Sequence, residues 1–374
     1  MTFRIVVLGG YGHFGARIAR TLADDAAMEV TVVGRDPTRA ADAAAAITLA
    51  GGRRVDAAAL DVNGVDLAQR LRILAPDLVV HTCGPFQERD HGVARAALAA
   101  GAHYVDLADA RRFVCGIRAI DDAARSRDRL IVSGASTVPG LSGAVVDAFA
   151  HEFDALSSID AGIAVANRTP RGRATVASVA SGVGKQFGAW HDGAWKPAYG
   201  WQRLRRHRYP PPVGTRWLAD FDIPDLELFP ERYPGVQSVQ FGAGLELPPL
   251  HMGLWLLSWP SRWRWIRNLE AHADALRAGS DRFIRWGSDS GAMHVTMHGF
   301  RRAHRLSVEW TLIARQGDGP QIPCIAAIVL ARKLAAGTLA ARGAMPCVGL
   351  FSLDECLREL EGYDVRTIVE RVLV

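Results

Sequence analysis

The sequence predicts an α/β chain: a doubly wound parallel sheet, followed by a second α+β domain containing a mostly antiparallel sheet. Three observations carry that prediction. Up to residue 133, short apolar runs alternate repeatedly with helical patterns, as in successive strand–helix units. The first apolar run, residues 3–8, empties into glycines at 9, 10, 12 and 15 just ahead of a helical pattern. Beyond Pro139 the strand–helix alternation stops: residues 159–166 alternate with period two, and residues 292–298 and 306–314 are strand-like. Period two is that of a strand with one buried face.

Taken in order, residues 3–8 form the first strand, and Gly10, Gly12 and Gly15 fit G-x-G-x-x-G between a strand and a helix. Gly10 permits the tight turn, Gly12 lets backbone approach a pyrophosphate, and Gly15 lets the helix pack close. Tyr11, His13 and Phe14 fill the positions between, so the stretch 10–15 is a candidate dinucleotide cradle facing a helix N-terminus. A glycine-rich turn without a ligand is the plain alternative. The second strand, residues 29–33, ends in Gly34-Arg35, where an NAD site wants a carboxylate for the ribose 2′-OH. Glycine there leaves room for a 2′-phosphate, and arginine supplies a planar fork for it. The expected cofactor is therefore NADP. Asp36 comes one residue late and is read as the cap of a helix over 37–50, with Pro37 in its first turn.

A third strand over 55–60 precedes Asp61 and Val62, where adenine-edge contacts fall, unless Asp61 is only a turn residue. After a helix over 65–74, the apolar run 77–82 reads as a buried parallel strand. It leads to Cys83, Gly84 and Pro85, a rigid wall for the nicotinamide side of the site, or a simple turn. A helix over 90–100 closes at Gly101, and a strand over 103–107 leads to Asp106 and Asp109. Asp109 is either an acid/base in the cleft or the N-cap of a helix over 111–127. Residues 130–133 are the sixth strand.

The expected division is 1–138 for the dinucleotide domain, 139–318 for a substrate and dimerisation domain, and 319–374 for C-terminal helices returning to the first domain. In the second domain, Trp190 and Trp195 flank Asp192-Gly193, a type I′ hairpin signal. A strand is expected over 236–241 and a helix over 269–278. The Pro- and Arg-rich stretch between, with Pro210-Pro211-Pro212, reads as irregular. His251, His294, His298, Glu246 and Asp289 are candidate proton donors there; His294 and His298 alternate along one strand face, so one pocket is expected to receive both. Each is equally readable as a structural residue. The two catalytic candidates carried forward are Asp109 and His294. Gly337 reads as a helix C′ residue, and Ser352 with Glu355 as a capping box.

With 374 residues, 49% hydrophobic and 22% charged, the chain suits two soluble globular domains. Its net charge is +5, but the arginines are scattered, so no nucleic-acid stripe is expected. The five cysteines show no CxxC pair and no metal spacing, which points to free thiols in a reducing cytoplasm and to no metal site. No signal peptide is read in the sequence. Residues 250–267 carry Trp255, Trp259, Trp263 and Trp265 among Arg262, Arg264 and Arg267. The run is too short to span a bilayer. It reads as a pocket lining or a homodimer seam ahead of a headgroup-interface helix.

The stretches 7–15, 34–36 and 83–86 together resemble the saccharopine dehydrogenase-like family of NAD(P)-binding oxidoreductases. Residues 101–109 and 133–142 extend the resemblance, and 319–323 with 343–347 look like the C-terminal part of bacterial members. The resemblance implies a Rossmann domain with a substrate domain inserted before the C-terminal segment. It does not imply saccharopine as substrate, since members include polyamine-synthesis dehydrogenases and lipid-directed enoyl reductases. It implies hydride transfer between NADP(H) and a small, partly apolar substrate. A non-catalytic NADP-binding sensor and a peripheral membrane enoyl reductase acting on lipid are the alternatives.

Overall fold

The computed structural model describes residues 2–51 and 53–373. In chain order the elements are β1 Phe3–Leu8, α1 Gly15–Ala23, β2 Met28–Gly34, α2 Pro37–Gly51, β3 Asp56–Ala59, α3 Leu67–Leu74, β4 Leu78–His81, α4 Gly92–Ala99, β5 His103–Asp106, α5 Arg111–Gly116, α6 Asp121–Arg125 and β6 Leu130–Ser133. They continue with α7 Ser142–Phe149, β7 Ala155–Val165, α8 Arg173–Gly182, β8 Gln186–His191, β9 Ala194–Tyr199, β10 Arg205–Arg208, β11 Thr215–Asp220, α9 Asp225–Arg232, β12 Ser238–Leu245, α10 Pro248–Arg262, α11 Ala273–Asp281, β13 Gly291–Arg301 and β14 His304–Ala314. Last come α12 Ile325–Ala335, β15 Gly343–Pro346, α13 Leu353–Arg358 and β16 Val365–Leu373. Two compact units result: residues 1–141 with 321–359, and residues 142–320 with 360–374.

The first unit is a parallel sheet in the order β15-β6-β5-β4-β1-β2-β3. Its central strands are mostly apolar and buried, as at residues 6–8, 78–80 and 130–132, because both faces are covered. Val6, Leu8, Val79, Tyr104 and Ile131 are all buried in one cluster. β1 lies between β2 and β4, so chain order reverses across it. The loops after β1 and β4 therefore open at a topological switch point, where open α/β sheets bind ligands.

The second unit is a mixed sheet in the order β10-β11-β12-β7-β13-β14-β16, with a separate hairpin of β8 and β9. Only β7 and β12 among its pairs run parallel. The hairpin turn has Asp192 at φ 52° and Gly193 at φ 69°, the two positive angles a type I′ turn needs.

Three sequence expectations are corrected. The helix over 111–127 is broken into α5, a 3-10 turn at Ile117–Ile120, and α6. The Pro/Arg-rich stretch is not irregular throughout, because it holds β10, β11 and α9. The C-terminal segment is not purely helical: β15 extends the first sheet, and β16 leaves to complete the second. β15 is only four residues long, too short to show a period, and β16 is exposed on most of its length, so it carries no apolar stripe.

Candidate functional site

The glycine turn after β1 is tied down on both sides. The amides of Gly9 and Gly10 donate to Val33 O at 2.8 and 3.1 Å, and Thr82 Oγ1 donates to Leu8 O at 2.9 Å. A Cβ on Gly10 would stand 2.9 Å from Val7 O, and one on Gly15 would stand 2.7 Å from Thr82 Oγ1. These two glycines serve the turn and the helix–strand contact. A Cβ on Gly12 would meet only one oxygen, Gly9 O, at 2.9 Å. Among the described residues, the amides of His13, Phe14 and Gly15 meet no protein acceptor. Unpaired amides at a helix N-terminus are a fitting cradle for a diphosphate. The Cys324 thiol donates to Phe14 O at 3.7 Å, so the returning segment braces the cradle from within the same unit.

At the end of β2 the structure corrects the reading of Gly34. Its open side is filled by the Tyr11 ring, which a Cβ there would approach to 2.5 Å at Cζ. The glycine makes room for Tyr11, not for a phosphate. Asp36 N donates to the Tyr11 hydroxyl at 3.2 Å, and the Arg39 guanidinium lies 4.5 Å from the ring centroid. Asp36 Oδ1 accepts from Arg39 N at 3.1 Å, which makes it the cap of α2. Arg35 and Arg39 both stand exposed beside Tyr11. Arg39 was not singled out in the sequence; its spacing of four from Arg35 on a helix start is the signal that would have found it.

After β3, Asp61 Oδ1 accepts from both Asn63 N and Asn63 Nδ2, at 3.0 and 3.3 Å, so its carboxylate builds an Asx turn. Val62 and Cys83 line a cleft of about 400 Å³ between α3 and α4, together with Arg89, Val93 and Phe113. Buried His81 closes its floor, with Nδ1 2.9 Å from the Tyr104 hydroxyl and Nε2 unpartnered. Burial, then the nearby Arg89, pulls this imidazole down to about 3, so it stays neutral. Burial likewise pushes the Cys83 thiol up to about 12, which removes it as a nucleophile. Gly84 and Pro85 lead on from Cys83 to Gln87.

Asp109 is half-buried after β5, and Gln87 Nε2 donates to its Oδ1 at 3.2 Å. Residues following two adjacent strands thus meet at the C-terminal rim. The N-cap position of α5 belongs to Ala110 and carries no side-chain cap. Asp106 is wholly buried and accepts from Ala108 N, Ser133 Oγ and Gly134 N. Burial raises it to about 6 against those bonds, and its role is to lock the β5–β6 loops.

In the second unit one sheet face is carved out by glycine. Gly162 on β7 and Gly242 on β12 are register partners. A Cβ on either would strike the His294 ring or the Arg205 guanidinium. Into this hollow fold Arg205, His207 and Tyr209. The His207 and His294 rings stack at 3.7 Å between centroids and 3° between planes. The Tyr209 hydroxyl lies 2.8 Å from His294 Nδ1, and His207 Nε2 lies 3.4 Å from Glu309 Oε1. Thr296 Oγ1 donates to Glu309 Oε2 at 3.0 Å, and Arg205 spans Asp160 and Asp220. His294 is fully buried, and burial with the neighbouring His207 and Arg205 holds it well below the usual histidine range. His207 and Glu309 are half-buried, as are Arg205 and Asp160. His298 is exposed further along β13 and does not join the cluster.

The other candidates of this unit are structural. Glu246 takes Asn167 N, Ser288 N, Ser288 Oγ and Arg216. His251 is buried against Trp201, accepts from Leu245 N at 3.3 Å, and is pulled by burial to about 4. Asp289 accepts from Ser290 Oγ at 3.2 Å, within its own turn. Along α10 and just past its end the rings of Trp255, Trp259, Trp263 and Trp265 touch in sequence, and Arg262 lies over Tyr199. Trp255 and Trp259 are half-buried, while Trp263 and Trp265 are exposed. Among the described residues no helix is long and apolar enough to cross a membrane, and no group of three or more His, Cys, Asp or Glu is placed to hold a metal.

Residues 5–130 match the family model described as the saccharopine dehydrogenase NADP binding domain. Among solved structures, apo saccharopine dehydrogenase (L-Glu forming) from Saccharomyces cerevisiae is similar, with a TM-score of 0.68 and 13% identity over 98% of this chain and 100% of that one. Homospermidine synthase from Legionella pneumophila, solved in complex with NAD, has a TM-score of 0.61 and 10% identity over 100% and 92% of the two chains. Amine dehydrogenase from Mycobacterium smegmatis follows at 0.51 and 12%, over 94% and 96%. At such identities the likeness is one of fold. No curated protein sequence matches this chain.

Proposed function

We propose, from the match of residues 5–130 to the saccharopine dehydrogenase NADP binding domain, that the chain is an NADP-dependent oxidoreductase acting on a small, partly apolar molecule. The observation that carries the cofactor choice is the pair of exposed arginines, Arg35 and Arg39, beside Tyr11 at the end of β2. The nearest carboxylate, Asp36, comes one residue after Arg35 and has Oδ1 engaged in capping α2. The unpaired amides of His13, Phe14 and Gly15 fit the diphosphate, and the cleft beside Val62 and Cys83 fits the adenine.

A bound nicotinamide supplies the carbon that gives or takes a hydride. The accompanying proton falls to this chain's own groups. Asp109 holds it at a carboxyl oriented by the Gln87 amide, at the rim after β4 and β5. In the second unit, His207 and Glu309 form a half-buried polar pair. His294, kept neutral by burial and then by the neighbouring His207 and Arg205, stacks on His207 and fixes that ring as a positioning residue.

Calorimetric titration of NADPH and NADH tests the cofactor choice. The wild type should prefer NADPH by about tenfold or more, the scale of one charge-assisted hydrogen bond. Arg35→Ala should weaken NADPH and leave NADH nearly unchanged. Equal affinities in the wild type would remove the NADP reading.

A further inference from the structure

We propose that β16 is a self-association edge, at which two copies of this chain pair their β16 strands antiparallel about a twofold axis through Ile368. β16 pairs with β14 along its whole length and is the last strand of its sheet. Its other side therefore offers a row of backbone donors and acceptors without a neighbouring strand among the described residues. The strand is open: Ile368 is 37%, Val372 57% and Leu373 60% exposed. Edges of this length invite another strand.

The charges on β16 say which strand. Arg366, Ile368, Glu370 and Val372 alternate onto the face shared with Ile313, Thr311, Glu309 and Ser307 of β14. Glu370 thus has Glu309 as its cross-strand neighbour, and Arg366 has Ile313. Neither charge makes an ion pair among the described residues, whereas Arg371 on the opposite face holds Glu152 at 2.7 Å. Both are thus placed opposite nothing of opposite sign inside their own sheet.

Pairing of two identical antiparallel strands leaves one choice, the residue on the axis. With Ile368 there, Arg366 of each copy faces Glu370 of the other, twice by symmetry, and the two isoleucines meet at the centre. With Val369 on the axis, Ile368 would face Glu370 and Thr367 would face Arg371. With Thr367, Asp364 would face Glu370. With Glu370 or Arg371, like charges would meet directly. Opposite charges across a strand pair stabilise it and like charges destabilise it, so among registers that pair most of the strand VRTIVERVL, the one centred on Ile368 sets opposite charges against each other. The same charges disfavour its neighbouring registers. The contact is isologous and closes at two copies.

The test is sedimentation velocity on the full chain, with circular dichroism to check folding. The wild type should be a dimer. Arg366→Glu alone and Glu370→Arg alone should each weaken dimerisation by about tenfold or more, because each sets like charges opposite twice. An equimolar mixture of the two single variants should form a heterodimer. The double variant Arg366→Glu/Glu370→Arg should dimerise again. A wild type that stays monomeric would mean that another strand or none covers the edge. Single variants that remain dimeric, or a mixture and double variant that fail to recover, would also overturn the proposal.

Discussion

A missing Cβ does different work at each glycine of the nucleotide turn. Gly15 and Gly10 are spaces for this chain's own backbone and for Thr82, Gly34 is the space for the Tyr11 ring, and Gly12 faces outward with one oxygen nearby. That separation makes the residues experimentally distinct. Gly34→Ala should push Tyr11 from its seat, at a cost of about 1–3 kcal/mol. It should lower affinity for NADPH and NADH alike, because Tyr11 belongs to the cradle itself. Thermal unfolding and paired titrations check both halves; a Gly34→Ala change that discriminated between the two cofactors would mean that the space at Gly34 belongs to the phosphate after all. Arg35 carries no such structural duty, being exposed and following the last residue of β2.

At the scale of elements, α7 and α9 are joined by a buried hydrogen bond in which Ser142 Oγ donates to Asp225 Oδ1, while Asp225 Oδ2 has no partner. Burial, only partly offset by that bond, raises this carboxyl to about 7. Because the folded value lies above the unfolded one, the folded state holds a proton that the unfolded state gives up. The contribution to stability is complete below about 4 and is lost as pH rises through about 7. Asp225→Asn keeps a carbonyl acceptor for Ser142 and does not titrate. Its unfolding midpoint should match the wild type in acid and exceed it increasingly from about pH 5 to about pH 8, by an amount on the order of 2–4 kcal/mol at the upper end. Parallel pH profiles for the two proteins would contradict this.

The same scale shows what the sequence could and could not disclose. The nucleotide half was legible because its central strands are buried apolar runs and its first turn carries residues with one physical use, Gly10-Tyr11-Gly12; in the second unit Asp192-Gly193 was legible on the same ground. The capping box at Ser352 and Glu355 is present as read. β10 and β11 were hidden because their exposed arginines and the intervening prolines mask a two-residue period. His207 and Glu309 were missed because they lie about a hundred residues apart and meet only where β10 folds over the sheet. Nothing local in the sequence marks Gly162 and Gly242 as the hollow that receives them.

At the scale of the molecule, the chain leaves its first unit after residue 141, returns at 321 and leaves again at 359. The first sheet is completed by a strand from the far side of the inserted unit, and the second by the last strand described. Such threading makes each unit depend on residues distant in sequence, so neither is a simple stretch that could be cut free. The central claim is that the glycine turn of the first unit holds a nicotinamide dinucleotide. It is tested most directly by calorimetric titration of NADPH into the full chain and into Gly12→Ala, whose added methyl group would stand 2.9 Å from Gly9 O, with circular dichroism to check that the variant folds. The wild type should bind one equivalent per chain, and Gly12→Ala should stay folded yet bind at least about tenfold more weakly. No binding heat with the wild type, or equal binding by the two proteins, would contradict the account.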